Sequence, residues 1–170
     1  NTPLGFAVGN GLEVLEAMDV LSGCEKNNNF VNLCVDLASE MVSMSQNISY
    51  DEANYKVLKS IKNKSAYNKF LEIVENQHGD LSKVKISNKI FELKAEEFGI
   101  IKKINALAIG KIAFELGAGK KNITDKIDYG VGVKLNKLVG EFAKKGDTLM
   151  TLYYNKNIPE INISDIYKFD

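Results

Sequence analysis

Between Leu12 and Leu21 the apolar residues Leu12, Val14, Leu15, Ala17, Met18 and Leu21 recur every three or four positions, the period of a helix with one buried face. Gly9 or Asn10 can cap its start, and Gly23 stops it. Asn27, Asn28 and Asn29 form a polar loop that supplies the next cap. A second helix is predicted from Phe30 to Met44, with Val31, Cys34, Val35, Ala38, Met41 and Val42 on one face. Ser49-Tyr50-Asp51-Glu52 is a capping box, in which the Ser49 oxygen accepts the amide three residues on and Glu52 reaches back. The helix it opens buries Ala53, Val57, Leu58 and Ile61. Lys62 to Ser65 breaks the pattern, and a fourth amphipathic helix follows through Tyr67, Phe70, Leu71, Ile73 and Val74. Gly79 ends it, with His78 alongside.

After Gly79 the period shortens. Lys83 to Leu93 alternates, with Val84, Ile86, Ile90, Phe91 and Leu93 set among Lys, Ser and Asn as in a half-exposed strand. Phe98 to Ile101 continues as a second strand or a bulge. Ala106 to Leu116 is small and apolar, a short helix ending in Gly117-Ala118-Gly119. Val131 to Leu135 and Leu149 to Tyr154 are predicted strands, joined through the turn signal Lys145-Gly146-Asp147. The last stretch, Ile158 to Asp170, is irregular or a short edge strand, since Pro159 disfavours a central one. A helical first part and a mixed second part result.

Length and charge narrow the picture. The chain has 170 residues, 45% hydrophobic and 26% charged, enough for a core within one ordinary domain or two small ones. Lys+Arg and Asp+Glu both number 22, so no net field draws it to nucleic acid or an anionic membrane. No apolar run reaches the ~20 residues of a bilayer span. The opening Asn1-Thr2-Pro3-Leu4-Gly5 has no cationic stretch ahead of an apolar one, so no signal peptide is indicated. It also lacks an initiator Met, as though the sequence starts inside a larger chain. Cys24 and Cys34 fit a cytosolic protein with free thiols, Cys34 on the apolar stripe of its helix.

Candidate chemistry is sparse. Gly117-Ala118-Gly119-Lys120-Lys121 is not a Walker loop: Phe114 replaces the first Gly, Lys121 the Ser/Thr, and the stretch follows a helix instead of opening one. His78 has no carboxylate or nucleophile at a recognisable spacing. Glu96 and Glu97, taken as strand neighbours, face opposite sides and make a poor acid–base pair. Val139 to Leu149 has the Gly-Asp turn of a barrel-sandwich half, but Asp125-Lys126-Ile127 matches a carrier lysine motif only superficially. At the start, Pro3 to Ala17 is a Gly-punctuated loop entering a helix. Its carbonyls, with Glu13 or Glu16, could ligate a hard cation; acidic residues set against a helix dipole are the simpler reading.

That same stretch, Pro3-Leu4-Gly5-Phe6-Ala7-Val8-Gly9-Asn10 with Leu12-Glu13-Val14 and Glu16-Ala17, resembles the P-L-G-x-A-[VI]-G-N-x-L-E-V-x-E-A motif of bacterial pyrimidine-nucleoside and thymidine phosphorylases. The resemblance continues at Leu33-Cys34, Ala38 to Met41, Gln77 to Asp80 (where the family usually has Q-G-G-D) and Ala106 to Gly110. It extends through Leu116 to Gly119, Asp125 to Gly132, Val139-Gly140 and Lys145 to Leu149. Thr2, Gly11 and Lys120 stand where the family usually has Gln, Ala and Arg.

The resemblance implies an α+β chain. Residues 1–79 would be the helical C-terminal part of the phosphorylase α/β domain, and residues 80–170 an α/β-hammerhead, barrel-sandwich-like C-terminal domain. The implied parent is a cytoplasmic homodimeric pentosyltransferase that cleaves uridine, thymidine or deoxyuridine with inorganic phosphate into base and pentose 1-phosphate. The family's phosphate loop and base-contacting side chains lie upstream of the matching segment, so no catalytic or substrate-binding residue carries over, and the segment alone is expected to be inactive. What carries over is part of a monovalent-cation (potassium) site: Leu4, Ala7 and Glu16. No organic cofactor, nucleic acid or membrane partner is implied. The alternatives are a related nucleoside-monophosphate phosphorylase and a non-catalytic barrel-sandwich binding module.

Overall fold

The computed structural model describes residues 2–23 and 29–170, as helices and antiparallel sheets. Cys24 and the cap expected at Asn27 and Asn28 lie outside the described residues. By packing, the chain forms two compact units: Asn1–Val14 with Ser82–Asp170, and Leu15–Leu81. Residues up to Val14 therefore group with the later unit, where a division into 1–79 and 80–170 puts them with the helices.

Helix α1 (Asn10–Leu21) begins in one unit, and the boundary falls within it at Val14 and Leu15. The helical unit continues with α2 (Asn29–Gln46), α3 (Tyr50–Lys62) and α4 (Ser65–Asn76). Ser49 caps α3 through the Glu52 amide at 3.3 Å, as its capping box predicts. Glu52 does not reach back; it pairs with Lys56 at 3.1 Å, one helical turn on. Val35, Ser39 and Ala53 are buried, and the Ser39 hydroxyl donates to the Val35 carbonyl (2.7 Å) while accepting from the Asn54 amide (3.2 Å). Five residues expected on buried faces are open to solvent: Leu15, Met41, Leu58, Leu71 and Ile73. Periodicity identifies an apolar stripe but not what covers it.

In the other unit, β1 (Ala7–Val8), β4 (Gly132–Leu135), β6 (Thr148–Tyr153) and β2 (Ile90–Lys94) form one antiparallel sheet in that order. A second sheet has the order β5 (Phe142–Ala143), β3 (Gly99–Ile104), β7 (Tyr167–Phe169). Helix α5 (Ala106–Ala113) runs into a wide turn, Phe114–Ala118, and a four-residue helix α6 (Ile163–Ile166) precedes β7. The core draws on both sheets and α5: Ile101, Ile109, Val133, Leu149 and Leu152 are fully enclosed. Central strand β6 is buried on both faces from Leu149 to Leu152, and its one polar member there, Thr151, donates its hydroxyl to the Asn136 side chain at 2.9 Å. Tyr167 is enclosed too, its hydroxyl donating to the Leu149 carbonyl at 3.0 Å.

Three strand expectations need correction. Of Lys83 to Leu93, only Ile90 onward is strand. The Ser87 amide donates to Gly130 (2.8 Å), its hydroxyl donates to Tyr154 (2.6 Å) and accepts from the Lys89 amide (3.1 Å), so bonds to distant residues as well as a local turn displace a ladder. Glu96 and Glu97 sit in a bend between β2 and β3, not on a strand. The Lys145-Gly146-Asp147 turn joins β5 to β6, with β5 intervening after β4.

Candidate functional site

The segment from Leu4 to Asn10 enters the sheet as its edge. Ala7 lies opposite Lys134 and Val8 opposite Val133, and the Leu135 amide donates to the Phe6 carbonyl at 2.7 Å. Hydrogen-bonded and non-bonded pairs alternate along an antiparallel ladder, so Phe6 and Val8 turn their backbone groups to β4. The Ala7 carbonyl is therefore directed off the outer edge. Gly9 then reverses the chain (φ 136°), and its carbonyl accepts the Glu13 amide at 2.9 Å, the first bond of α1. The Glu13 carboxylate returns to the Gly9 amide at 2.9 Å. Glu13 is thereby used as a helix cap, which settles its part in the two readings of this stretch.

This corner is packed against the loop between Leu116 and Gly132. Asn10 donates its side-chain amide to the Ala118 carbonyl (2.8 Å), and the Gly11 amide donates to the Tyr129 carbonyl (3.0 Å). A Cβ on Gly9 would stand 2.7 Å from the Val131 oxygen, and one on Gly11 2.5 Å from the Tyr129 oxygen. Two backbones thus cross at a distance that only glycine permits. Leu116 to Gly119 turns through Gly117 (φ 113°), where the Asp128 amide donates to the Gly117 carbonyl at 2.9 Å. The Gly-Ala-Gly stretch is a helix stop held by the start of α1. Sequence reasoning marked both stretches as motifs but missed that they are halves of one contact; the glycines at both were the available signal.

Of the residues expected to bind a cation, Leu4 (57% exposed) and Ala7 belong to the sheet-bearing unit. Glu16 is half-buried in the helical unit, where its carboxylate, after burial itself, raises the Cys34 thiol above its ordinary value. That neighbour was not foreseen, because it depends on α1 meeting α2. Carbonyl and carboxylate oxygens are the ligand types that suit a hard monovalent cation. Among the described residues, no group of three or more His, Cys, Asp and Glu could hold a metal ion.

Elsewhere, carboxylates are engaged in building turns. Asp125 accepts the Asn122 (2.8 Å) and Lys121 (3.0 Å) amides, and the Asn122 bond chiefly holds its carboxyl below the usual range. Asp147 is lowered likewise, first by the Lys144 amide at 3.1 Å, with Lys137 adding at 3.5 Å. The Asp125 turn borders a cavity of about 430 Å³ beside Gly117, Lys121, Lys126 and Lys156. Among the described residues, no helix is long and apolar enough to cross a membrane.

Residues 100–168 match the family model described as the pyrimidine nucleoside phosphorylase C-terminal domain. The chain is 40% identical over 173 residues to the pyrimidine-nucleoside phosphorylase of Bacillus subtilis (strain 168), covering 97% of this chain and 40% of that protein. The enzyme of that name from Geobacillus stearothermophilus is 41% identical over 91% of the chain and 37% of its own length. The thymidine phosphorylase of Metamycoplasma hominis is 36% identical over 94% of the chain and 61% of its own length. The chain spans about 40% of the first two relatives. Over nearly its whole length it is thus a relative of the pyrimidine-nucleoside and thymidine phosphorylases, and residues 100–168 carry the sequence of their C-terminal domain.

Proposed function

We propose that this chain serves as part of a pyrimidine-nucleoside phosphorylase, a pentosyltransferase that uses inorganic phosphate to release the base of uridine, thymidine or deoxyuridine and leaves pentose 1-phosphate. The observation that carries this is the 40% identity over 97% of the chain to an enzyme of that name. Its own residues supply framework: the crossing of Asn10 and Gly11 with Ala118 and Tyr129 fixes where α1 starts. The family's substrate-contacting motifs have no counterpart in this sequence, so the 170-residue chain alone performs no phosphorolysis. Uracil release from uridine plus phosphate by the purified chain is expected to equal the enzyme-free rate; release above it would sink that part of the reading.

In the complete enzyme, a cytoplasmic homodimer on this reading, Leu4 and Ala7 offer carbonyl oxygens and Glu16 a carboxylate to a potassium ion. The ion would supply positive charge beside Glu16 and order the loop ahead of α1. A phosphorylase bearing this sequence should then melt at higher temperature in potassium chloride than in choline chloride, and Glu16→Gln should abolish the difference. Equal melting in both salts before any substitution would refute the cation role.

A further inference from the structure

Asn10-Gly11 is the only Asn-Gly pair in the sequence; every other asparagine precedes a residue that bears a side chain. Such a pair carries its own nucleophile and electrophile. The glycine amide nitrogen, unhindered by a Cβ, can attack the carbonyl carbon of the asparagine side chain. The fold holds the two groups apart. The Gly11 nitrogen is buried and donates its proton to the Tyr129 carbonyl at 3.0 Å, out of reach of base in solvent. The half-buried Asn10 side chain is drawn to the facing loop by its 2.8 Å bond to the Ala118 carbonyl. Asn10 is also the first residue of α1. Ring closure needs its Cβ, Cα and carbonyl carbon near one plane with the Gly11 nitrogen, which a helical ψ does not give. Val84 and Ile86 close over the remaining side, where a Cβ on Gly11 would meet them at 3.5 and 3.0 Å.

We propose that Asn10 is a deamidation site latched by this crossing: it reacts when the start of α1 lifts from Ala118 and Tyr129, and its product keeps the crossing from closing again. In the opened state the Gly11 nitrogen loses its proton and bonds to Asn10 Cγ. The bond from Cγ to the side-chain nitrogen breaks, and that nitrogen leaves with the proton as ammonia. Water then opens the five-membered succinimide at either carbonyl, giving aspartate or, with the main chain rerouted through Cγ, isoaspartate. Water is consumed, ammonia is released, and nothing is oxidised or reduced. Neither product restores the contact. Aspartate presents an acceptor to the Ala118 carbonyl where the amide donated. Isoaspartate adds a methylene to the main chain and displaces Gly11 from the Tyr129 oxygen, an approach that only glycine fits. The proposal is independent of the phosphorylase reading.

The 170-residue chain is aged at mildly alkaline pH, folded and in urea. Peptide mass spectrometry reads the amide-to-acid change at position 10, and an isoaspartyl methyltransferase reads the isoaspartate. The folded chain should react more slowly than the unfolded one by on the order of tenfold or more, because only the locally opened fraction reacts. Gly9→Ala, whose methyl crowds the Val131 oxygen, should speed the reaction of the folded chain several-fold. Ile86→Ala, a milder change that uncovers Gly11, should act in the same direction and serves where Gly9→Ala does not fold. Aged chain separated by ion exchange should melt several degrees below unreacted chain, and Asn10→Gln should show neither the mass change nor the loss. Equal rates folded and unfolded, no reaction in either, no acceleration by either variant, or an aged chain that melts with the parent each overturns the proposal.

Discussion

His78 occupies the left-handed region (φ 58°) one position past Gln77, the C-cap of α4. Its amide donates to Glu75 (2.9 Å) and the Gly79 amide to Val74 (2.8 Å), the paired bonds of a Schellman ending. A side chain there strains against the following carbonyl, a penalty glycine avoids. His78→Gly should therefore stabilise the helical unit by about 1 kcal/mol, read as a higher urea midpoint by circular dichroism, whereas His78→Ala keeps the strain and should not. Asp147 gives a pH-dependent prediction. Its folded carboxyl titrates below the unfolded one because the Lys144 amide and then Lys137 favour the charged form. The contribution is thus complete above the ordinary carboxylate value and lost as pH falls through the lower folded one. Asp147→Asn should lose less of its unfolding midpoint than the parent between about pH 5 and about pH 3. Both residues stood in recognised turn signals, but the His78 strain was invisible because Gly79 looked like the sufficient stop.

At the scale of elements, the crossing of α1 with the loop before β4 is where small substitutions should act most. Gly9→Ala adds a methyl 2.7 Å from the Val131 oxygen at a backbone angle that disfavours side chains. It should destabilise the sheet-bearing unit by about 3 kcal/mol, measured by denaturant unfolding. Asn10→Ala removes one side-chain bond to Ala118 without a clash, and about 1 kcal/mol is expected. An Asn10→Ala effect as large as that of Gly9→Ala would mean that the side-chain bond, not the glycine contact, sets the crossing. Helix positions were legible because each helix has its own period and a local stop or cap. The stretch 84–89 was misread because its alternation satisfies a strand's period while Ser87 is bonded to Gly130 and Tyr154, residues distant in sequence.

For the whole molecule, the helical and sheet-bearing units differ in how completely they bury themselves. The second has a core enclosed by its own strands and α5, whereas the first leaves Leu37, Met41 and Met44 outward. The candidate cation residues divide between the two, Leu4 and Ala7 in one and Glu16 in the other. That they serve one ion is a proposal resting on the family resemblance, since no spacing rule links a loop carbonyl to a helix carboxylate.

By itself the sequence determined the helices, most of the strands, the turn chemistry and the phosphorylase kinship, because periodicity, capping and motif agreement are carried by residues near one another in the chain. Tertiary structure decided that the two strongest motifs meet across Asn10 and Ala118, that Glu13 caps α1 by bonding Gly9, and that one face of α2 remains open. Each of these depends on which backbone approaches which, and that distance is set only when the chain has packed.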